Sequence, residues 1–90
     1  MSEKERRVYV INLRNAYNVP RKKRAKKAIN IIKNFISRHT HSKIVKISQR
    51  LNEHIWSRNI EKPPRKIRVQ VKVEYDEDIE SNIAEVDLAS

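Results

Sequence analysis

Residues 20–41 carry the pattern that most limits how this chain can fold. At about 100° of rotation per residue, their apolar side chains fall on one helical stripe about 160° wide. The stripe consists of Ala25, Ala28, Ile29, Ile31, Ile32, Phe35 and Ile36. The opposite face carries Lys22, Lys23, Lys26, Lys27, Asn30, Lys33, Asn34 and Arg38. The pattern predicts an amphipathic helix, which needs an apolar surface to cover its stripe.

Alternating apolar residues predict the strands that supply this surface. Residues 66–74 alternate valine and isoleucine with polar side chains, which is the clearest strand pattern in the chain. Residues 7–13 also form a strand pattern, with Tyr9, Ile11 and Leu13 on one face. Because Val8 and Val10 make the second face apolar as well, the pattern predicts a central position for this strand.

Shorter elements complete the predicted order. Residues 43–47 and 83–88 have the length and composition of strands. Between them, Ser48 is predicted to cap a second helix that runs to about Arg58. Leu51 and Ile55 form the apolar pair of that helix at i, i+4 spacing.

Asparagine is expected at the helix ends because the chain contains no glycine. Asn18 is the predicted cap at the start of the long helix, and Pro20 suits the first helical positions. Asn59 is the predicted left-handed residue at the end of the second helix. Pro63 and Pro64 then require an extended connection.

The elements predict an α+β fold, a single small domain over residues 1–90. In β-α-β-α-β-β order, two helices pack on a small mixed sheet. The β-α-β steps allow parallel neighbours, and an acidic hairpin loop at residues 74–82 makes the last two strands antiparallel. No apolar segment has the length of a membrane span, so we expect no membrane insertion.

The sequence offers no chemistry for catalysis or for a cofactor. It has no cysteine, no glycine-rich phosphate loop and no paired carboxylates in its basic part. His39 and His41 point about 200° apart on a helix, and with His54 they do not make a metal site. We therefore expect a protein that is not an enzyme and binds no cofactor.

Positive charge is concentrated in one part of the chain. Residues 6–73 carry a net charge of +18, whereas residues 74–90 carry −7 and residues 1–5 carry −1, which gives +10 overall. Such asymmetry points to nucleic acid or to an anionic membrane surface as the partner. A membrane-surface helix would need its apolar stripe exposed, whereas the predicted strands provide a surface that covers the stripe.

The segment RKKRAKK, residues 21–27, holds the densest charge. Like charges at i, i+3 and i+4 destabilise a helix, and cations are disfavoured near its N-terminus. A solvated helix face would not need six cations in seven residues, which favours a polyanion as the partner over a plain surface. The segment also resembles a nuclear localisation signal, but such signals are mobile rather than helical.

Two further segments are candidate contacts with nucleic acid. The connection RNAYN combines a guanidinium, two amides and an aromatic ring, which suit unpaired RNA, although Tyr17 could equally fill the edge of the core. For Trp56, a position in the core is favoured over a role as a platform on which bases stack. In the segment KPPRKIRVQVK, we expect Arg65 and Lys66 to contact phosphate. Lys72 is expected to pair with Glu85 or Asp87 on the last strand.

Two blocks of sequence carry a resemblance to a known family. NLRNAYNVPRKKRAKKAI (12–29) and LNEHIWSRNIEKPPRKIRV (51–69) resemble the signature blocks of the thirty-first large-subunit ribosomal protein of archaea and eukaryotes. The specific parts are Ala-Tyr-x-x-Pro-Arg and Ile-Trp-x-x-x-Ile-x-Lys-Pro-Pro-Arg. The similarity covers about residues 6–73. Asn59 stands where the family usually has glycine, and asparagine also tolerates the left-handed conformation.

The resemblance implies a structural constituent of the large subunit of the cytoplasmic ribosome, bound to ribosomal RNA near the mouth of the polypeptide exit tunnel. Its partners would be large-subunit RNA, neighbouring ribosomal proteins and factors that meet the nascent chain. The expected RNA-binding residues are Arg14, Asn15, Tyr17, Asn18, Arg21, Lys22, Lys23, Arg24, Lys26, Lys27, Trp56, Arg58, Lys62, Arg65, Lys66 and Arg68. Arg21 and Arg24, at the edge of the apolar stripe, could instead contact the acidic loop. The alternative function is that of a free DNA-compacting chromatin protein.

Overall fold

Two helices pack on one face of a four-stranded mixed sheet in the computed structural model, which describes residues 5–57 and 65–89. The strands and helices are β1 (Glu5–Asn12), α1 (Arg24–Thr40), β2 (Ser42–Ile47), α2 (Gln49–Ser57), β3 (Lys66–Asp76) and β4 (Ser81–Leu88). The predicted α+β class and the order of elements are therefore confirmed.

The sheet has the strand order β1-β3-β4-β2. Strand β3 pairs antiparallel with β1 and with β4, whereas β2 and β4 are parallel. The central position predicted for β1 is wrong, because the hairpin of β3 and β4 occupies the middle of the sheet. Val8 and Val10 lie on the open face of this edge strand and are 55% and 61% exposed.

One face of the sheet and one stripe of each helix form the core. The alternation predicted for β3 is confirmed, since Ile67, Val69, Val71 and Val73 are all buried. They pack with buried residues of the other elements, including Ile11, Leu13, Ala25, Ala28, Ile32, Ile36, Leu51, Ile55, Ala84 and Val86. The stripe that a membrane-surface helix would have to expose is thus part of the core. None of the helices in the described residues is long and apolar enough to cross a membrane.

The start of α1 differs from the prediction. The chain forms two short 3₁₀ segments, Arg14–Asn18 and Arg21–Lys23, before the α-helix begins at Arg24. The residue that precedes the helix is Lys23, which makes no capping hydrogen bond with its side chain. Asn18 is therefore not the helix cap, because Pro20 is extended, with ψ 149°, and separates it from the helix.

Left-handed residues in the described chain are His41 and Glu80, with φ of 53° and 51°, and not asparagines. At the end of α1, the backbone N–H of His41 donates to the carbonyl oxygen of Ser37, which satisfies one of the last carbonyls of the helix. Glu80 lies in the turn 77–80 that joins β3 to β4. This turn is shorter than the predicted loop 74–82, whose outer residues belong to the two strands. Asn59 lies outside the described residues.

Ser48 caps α2, as predicted, and also ties the helix to β4. Its hydroxyl accepts a hydrogen bond from the backbone N–H of Leu51 at 3.1 Å and donates to the Asp87 carboxylate at 2.7 Å. We expect Ser48→Ala to lower the free energy of unfolding by about 1 kcal/mol, the usual loss for a helix cap. Urea denaturation at neutral pH measures this difference. Ser37→Ala is not a suitable control, because the hydroxyl of Ser37 donates a hydrogen bond to the carbonyl oxygen of Ser42.

The contact between Ser48 and Asp87 makes the stability of the fold depend on pH in the acid range. The pKa of Asp87 lies below its ordinary value of 3.8, chiefly because of the hydrogen bond from Ser48 and, to a lesser extent, the N–H of Leu88 and the charge of Arg50. A carboxylate with a lowered pKa contributes stability above its ordinary pKa, and this contribution is lost as the pH falls through the lowered value. We expect Asp87→Asn to flatten the acid limb of the stability profile. An acid limb as steep as that of the unaltered protein would contradict this role.

Candidate nucleic-acid interface

The start of α1 presents a group of lysines to solvent. Lys22, Lys23, Lys26 and Lys27 are all exposed, and none of them forms an ion pair with a carboxylate in the described residues. No acidic residue lies in the first turn of the helix. The unfavourable interaction among these charges, and between them and the helix dipole, is therefore not relieved by these described parts of the chain.

Tyr17 joins the two basic segments that the sequence separates. The guanidinium of Arg24 lies 4.9 Å from the centroid of the tyrosine ring, and that of Arg65 lies 5.5 Å from it. Both distances are within the range of cation–π attraction. The ring is half-buried. It thus holds two arginines in place, a role that neither the stacking nor the core interpretation of Tyr17 included.

Two hydrogen bonds to backbone carbonyl oxygens fix the same junction. The N–H of Leu13 donates to the carbonyl oxygen of Arg65 at 2.7 Å, which connects the end of β1 to the start of β3. Arg24 Nε donates to the carbonyl oxygen of Val19 at 3.3 Å. Arg24 therefore contacts the segment that precedes its own helix, and the acidic turn is not needed to hold it.

The 3₁₀ segment Arg14–Asn18 carries the remaining candidates of the first cluster. Ala16 is buried and anchors the segment, while Arg14, Asn15 and Asn18 are exposed. The backbone N–H of Arg14 donates to Oδ1 of Asn12 at 2.8 Å, which fixes the first turn. The polar side chains are thus displayed from a hydrogen-bonded turn whose middle residue is buried.

The second cluster lies beside the first one. Arg65, Lys66 and Arg68 are exposed at the start of β3, and Lys66 lies opposite Asn12 in the sheet. We call the set Tyr17, Arg24 and Arg65 with their neighbours Arg14 and Lys66 the arginine junction. Arg58 and Lys62, the other members of the predicted second cluster, lie outside the described residues.

Trp56 is not a core residue, and that interpretation of the sequence is wrong. Its side chain is 43% exposed, whereas Leu51 and Ile55 on the same helix are fully buried. A residue one position after Ile55 is rotated by about 100° around the helix, which takes it out of the buried stripe. The exposure leaves the aromatic ring accessible for stacking.

Acidic residues lie at the other end of the sheet. Strand β3 begins at Lys66 and ends at Asp76, so its ends are about 33 Å apart at a rise of about 3.3 Å per residue. Glu77, Asp78 and Glu80 follow in the turn. Lys72 lies opposite Glu85 in the register, but the predicted ion pair does not form among the described residues, and Asp87 pairs instead with Arg50, at 3.8 Å. Opposite charges thus occupy opposite ends of β3.

Two further exposed polar groups lie outside the set of RNA-binding residues predicted from the sequence. Arg6 and Gln70 lie on the open face of the sheet, near Val8 and Val10. Only the pairing of β1 with β3 reveals them, because the two strands are separated by more than 50 residues of sequence. A different surface cluster, in which the ring of His39 stacks on that of Phe35 at 4.0 Å, braces the end of α1.

Comparison with known proteins places the chain in a family. Residues 3–82 match the sequence model of the family described as Ribosomal protein L31e. The match extends beyond the two signature blocks and includes the acidic turn. No group of three or more potential metal ligands occurs in the part of the chain that the structure describes.

Individual relatives agree with the family match. The chain is 54% identical over 78 residues to a protein of Pyrobaculum arsenaticum, a match that covers 80% of this chain and 85% of the relative. It is 43% identical over 81 residues to a protein of Methanopyrus kandleri, with 90% and 94% covered, respectively. It is 40% identical over 79 residues to a protein of Methanothermobacter thermautotrophicus, with 88% and 98% covered. Each of these relatives is named large ribosomal subunit protein eL31.

Proposed function

The chain belongs to the ribosomal protein L31e family, and on this basis we propose that it binds ribosomal RNA through the exposed lysines around the start of α1 and through the arginine junction. It is a structural constituent of the large subunit of the cytoplasmic ribosome. Its role in the particle is structural rather than catalytic. The partners of such a protein are large-subunit RNA and neighbouring ribosomal proteins.

The unneutralised charge at the start of α1 is the observation that carries the proposal. RNA phosphates relieve repulsion among Lys22, Lys23, Lys26 and Lys27, which the described residues do not relieve. The arginine junction adds planar guanidinium groups, which bind phosphate in a bidentate manner. Because Tyr17 fixes two of these groups, less conformational entropy is lost when they bind.

The proposed location of the protein within the large subunit rests on the family resemblance. It favours a site near the mouth of the polypeptide exit tunnel, where factors that meet the nascent chain would be additional partners. The Pro-Pro-Arg segment would contribute through Arg65 and through the preceding Lys62, with Arg58 nearby in sequence, and both Lys62 and Arg58 lie outside the described residues. The charge separation along β3 supports an orientation in which Lys66 faces RNA and the turn 77–80 points away from it.

Sedimentation tests the proposal against the chromatin alternative. We expect an epitope-tagged copy of the chain, expressed in cells, to sediment with the large ribosomal subunit through a sucrose gradient in high salt. Treatment of the lysate with DNase should leave the profile unchanged, and treatment with RNase should release the protein. Co-sedimentation with DNA, abolished by DNase, would refute the ribosomal function and support DNA compaction.

A further inference from the structure

Two exposed valines on an edge strand need a physical explanation. Val8 and Val10 are 55% and 61% exposed on the open face of β1, where an antiparallel sheet normally carries polar residues. Threonine would provide the same preference for strand conformation with a polar surface. Adjacent exposed apolar side chains often mark a surface that a partner covers.

The neighbours of these valines on β3 are cationic or amide-bearing. In the register of the two strands, Val8 lies opposite Gln70 and Val10 lies opposite Arg68. Cross-strand partners point to the same side of a sheet, so the four side chains form one surface. We call this surface the valine face and define it by Arg6, Val8, Val10, Asn12, Lys66, Arg68, Gln70 and Lys72.

The charge of the valine face restricts what can cover it. The face contains four cations and no carboxylate, whereas Glu85 and Asp87 lie on the neighbouring strand β4. A polyanion that follows β1 and β3 would therefore meet positive charge, and one that crossed to β4 would be repelled.

The valine face is continuous with the arginine junction. Asn12 belongs to the face, and its Oδ1 accepts the hydrogen bond from the N–H of Arg14 at 2.8 Å. Lys66 follows Arg65, whose guanidinium lies over the ring of Tyr17. A nucleic-acid strand bound at the junction thus reaches the open sheet face without crossing an acidic region.

We propose that a strand of ribosomal RNA lies along the valine face, with riboses and base edges packed on Val8 and Val10 and phosphates bound by Lys66 and Arg68. The inference rests on the proposed function and extends its site. Alternate residues of a strand lie about 6.6 Å apart, which is comparable with the spacing of neighbouring phosphates in an extended RNA strand. The amides of Asn12 and Gln70 are suited to bond to 2′-hydroxyl groups or base edges.

Site-specific photo-cross-linking tests the placement of the RNA. A benzophenone amino acid is introduced singly at Val10, at Lys27 on the proposed helix site, and at Ile44 on β2, and intact large subunits are irradiated. Ile44 is a matched position because it lies on the same open face and is 38% exposed. We expect RNA cross-links from positions 10 and 27 and none from position 44.

The three positions separate the failure of this inference from the failure of the proposed function. RNA cross-links from position 27 together with protein cross-links or none from position 10 would overturn the inference alone. A lack of RNA cross-links from both positions would overturn the RNA-binding function as well. RNA cross-links from position 44 would contradict the restriction of RNA to β1 and β3.

A binding measurement provides a second test. We expect Val10→Asp to weaken binding to deproteinised large-subunit RNA about tenfold, because it removes the apolar contact and places a negative charge beside Arg68. Ile44→Asp, the control, should change the affinity less than about twofold because screening limits the effect of distant charges. Circular dichroism verifies that both variants are folded. Equal effects of the two substitutions would overturn the inference.

Discussion

Replacement of Lys23 and Lys27 by glutamate is expected to weaken binding to large-subunit RNA by about a hundredfold while α1 stays at least as stable. Loss of two phosphate contacts, and repulsion by two new carboxylates, accounts for an effect of this order. The stability of α1 increases instead, because negative charge near the N-terminus of a helix interacts favourably with its dipole. The two effects have opposite signs, so unfolding cannot account for the lost affinity.

Lys43 and Lys46 provide the matched control for this experiment. Both are exposed lysines on β2, and their replacement by glutamate changes the net charge by the same amount. We expect this control variant to bind RNA nearly as well as the unaltered chain, because its charges lie away from the proposed interface. Filter binding over a range of salt concentrations measures both the affinity and the slope of log K against log salt. Equal losses in the two variants would show that net charge, and not its placement, determines binding.

Replacement of Ile32 by alanine is expected to lower the free energy of unfolding by about 2–5 kcal/mol. The side chain is fully buried at the centre of α1 and belongs to the main hydrophobic core. Domains of this size are stable by roughly 5–10 kcal/mol, so the variant would retain little stability. We expect its thermal midpoint to fall sharply, and large-subunit RNA should raise it again because binding stabilises the folded state.

Ile44→Ala is the control for the core substitution, because it deletes the same atoms from a side chain that is 38% exposed. We expect a loss of less than about 1 kcal/mol for this variant. Urea denaturation with a fluorescence or circular dichroism signal compares the two. A similar loss at both positions would contradict the burial pattern on which the description of the core depends.

Local patterns in the sequence predicted those parts of the fold that depend on local physics. The alternation in β3 and the apolar stripe of α1 each follow from the repeat of one element, and both are observed as buried faces. Ser48 was predicted as a cap because its hydroxyl acts three residues away, on the N–H of Leu51. Such interactions need no knowledge of which strands become neighbours.

The failed predictions depended on distant parts of the chain. Apolar residues on both faces of β1 suggested a central strand, but the position of a strand is decided by which other strands pair with it. Trp56 was assigned to the core from its residue type, whereas its rotation relative to Ile55 exposes it. The conjunction of Tyr17, Arg24 and Arg65 was also not predicted, because it requires β1 to end beside the start of β3.

The order of the strands has a consequence for how the protein folds while it is being synthesised. Both edge strands, β1 and β2, precede both central strands, β3 and β4, along the chain. During synthesis, α1 leaves the exit tunnel, with its stripe of alanine and isoleucine, before the hairpin that covers this stripe has emerged. The nascent chain therefore exposes a helix with an uncovered apolar stripe and a strongly cationic face. It can complete its fold only after residues 66–88 have emerged.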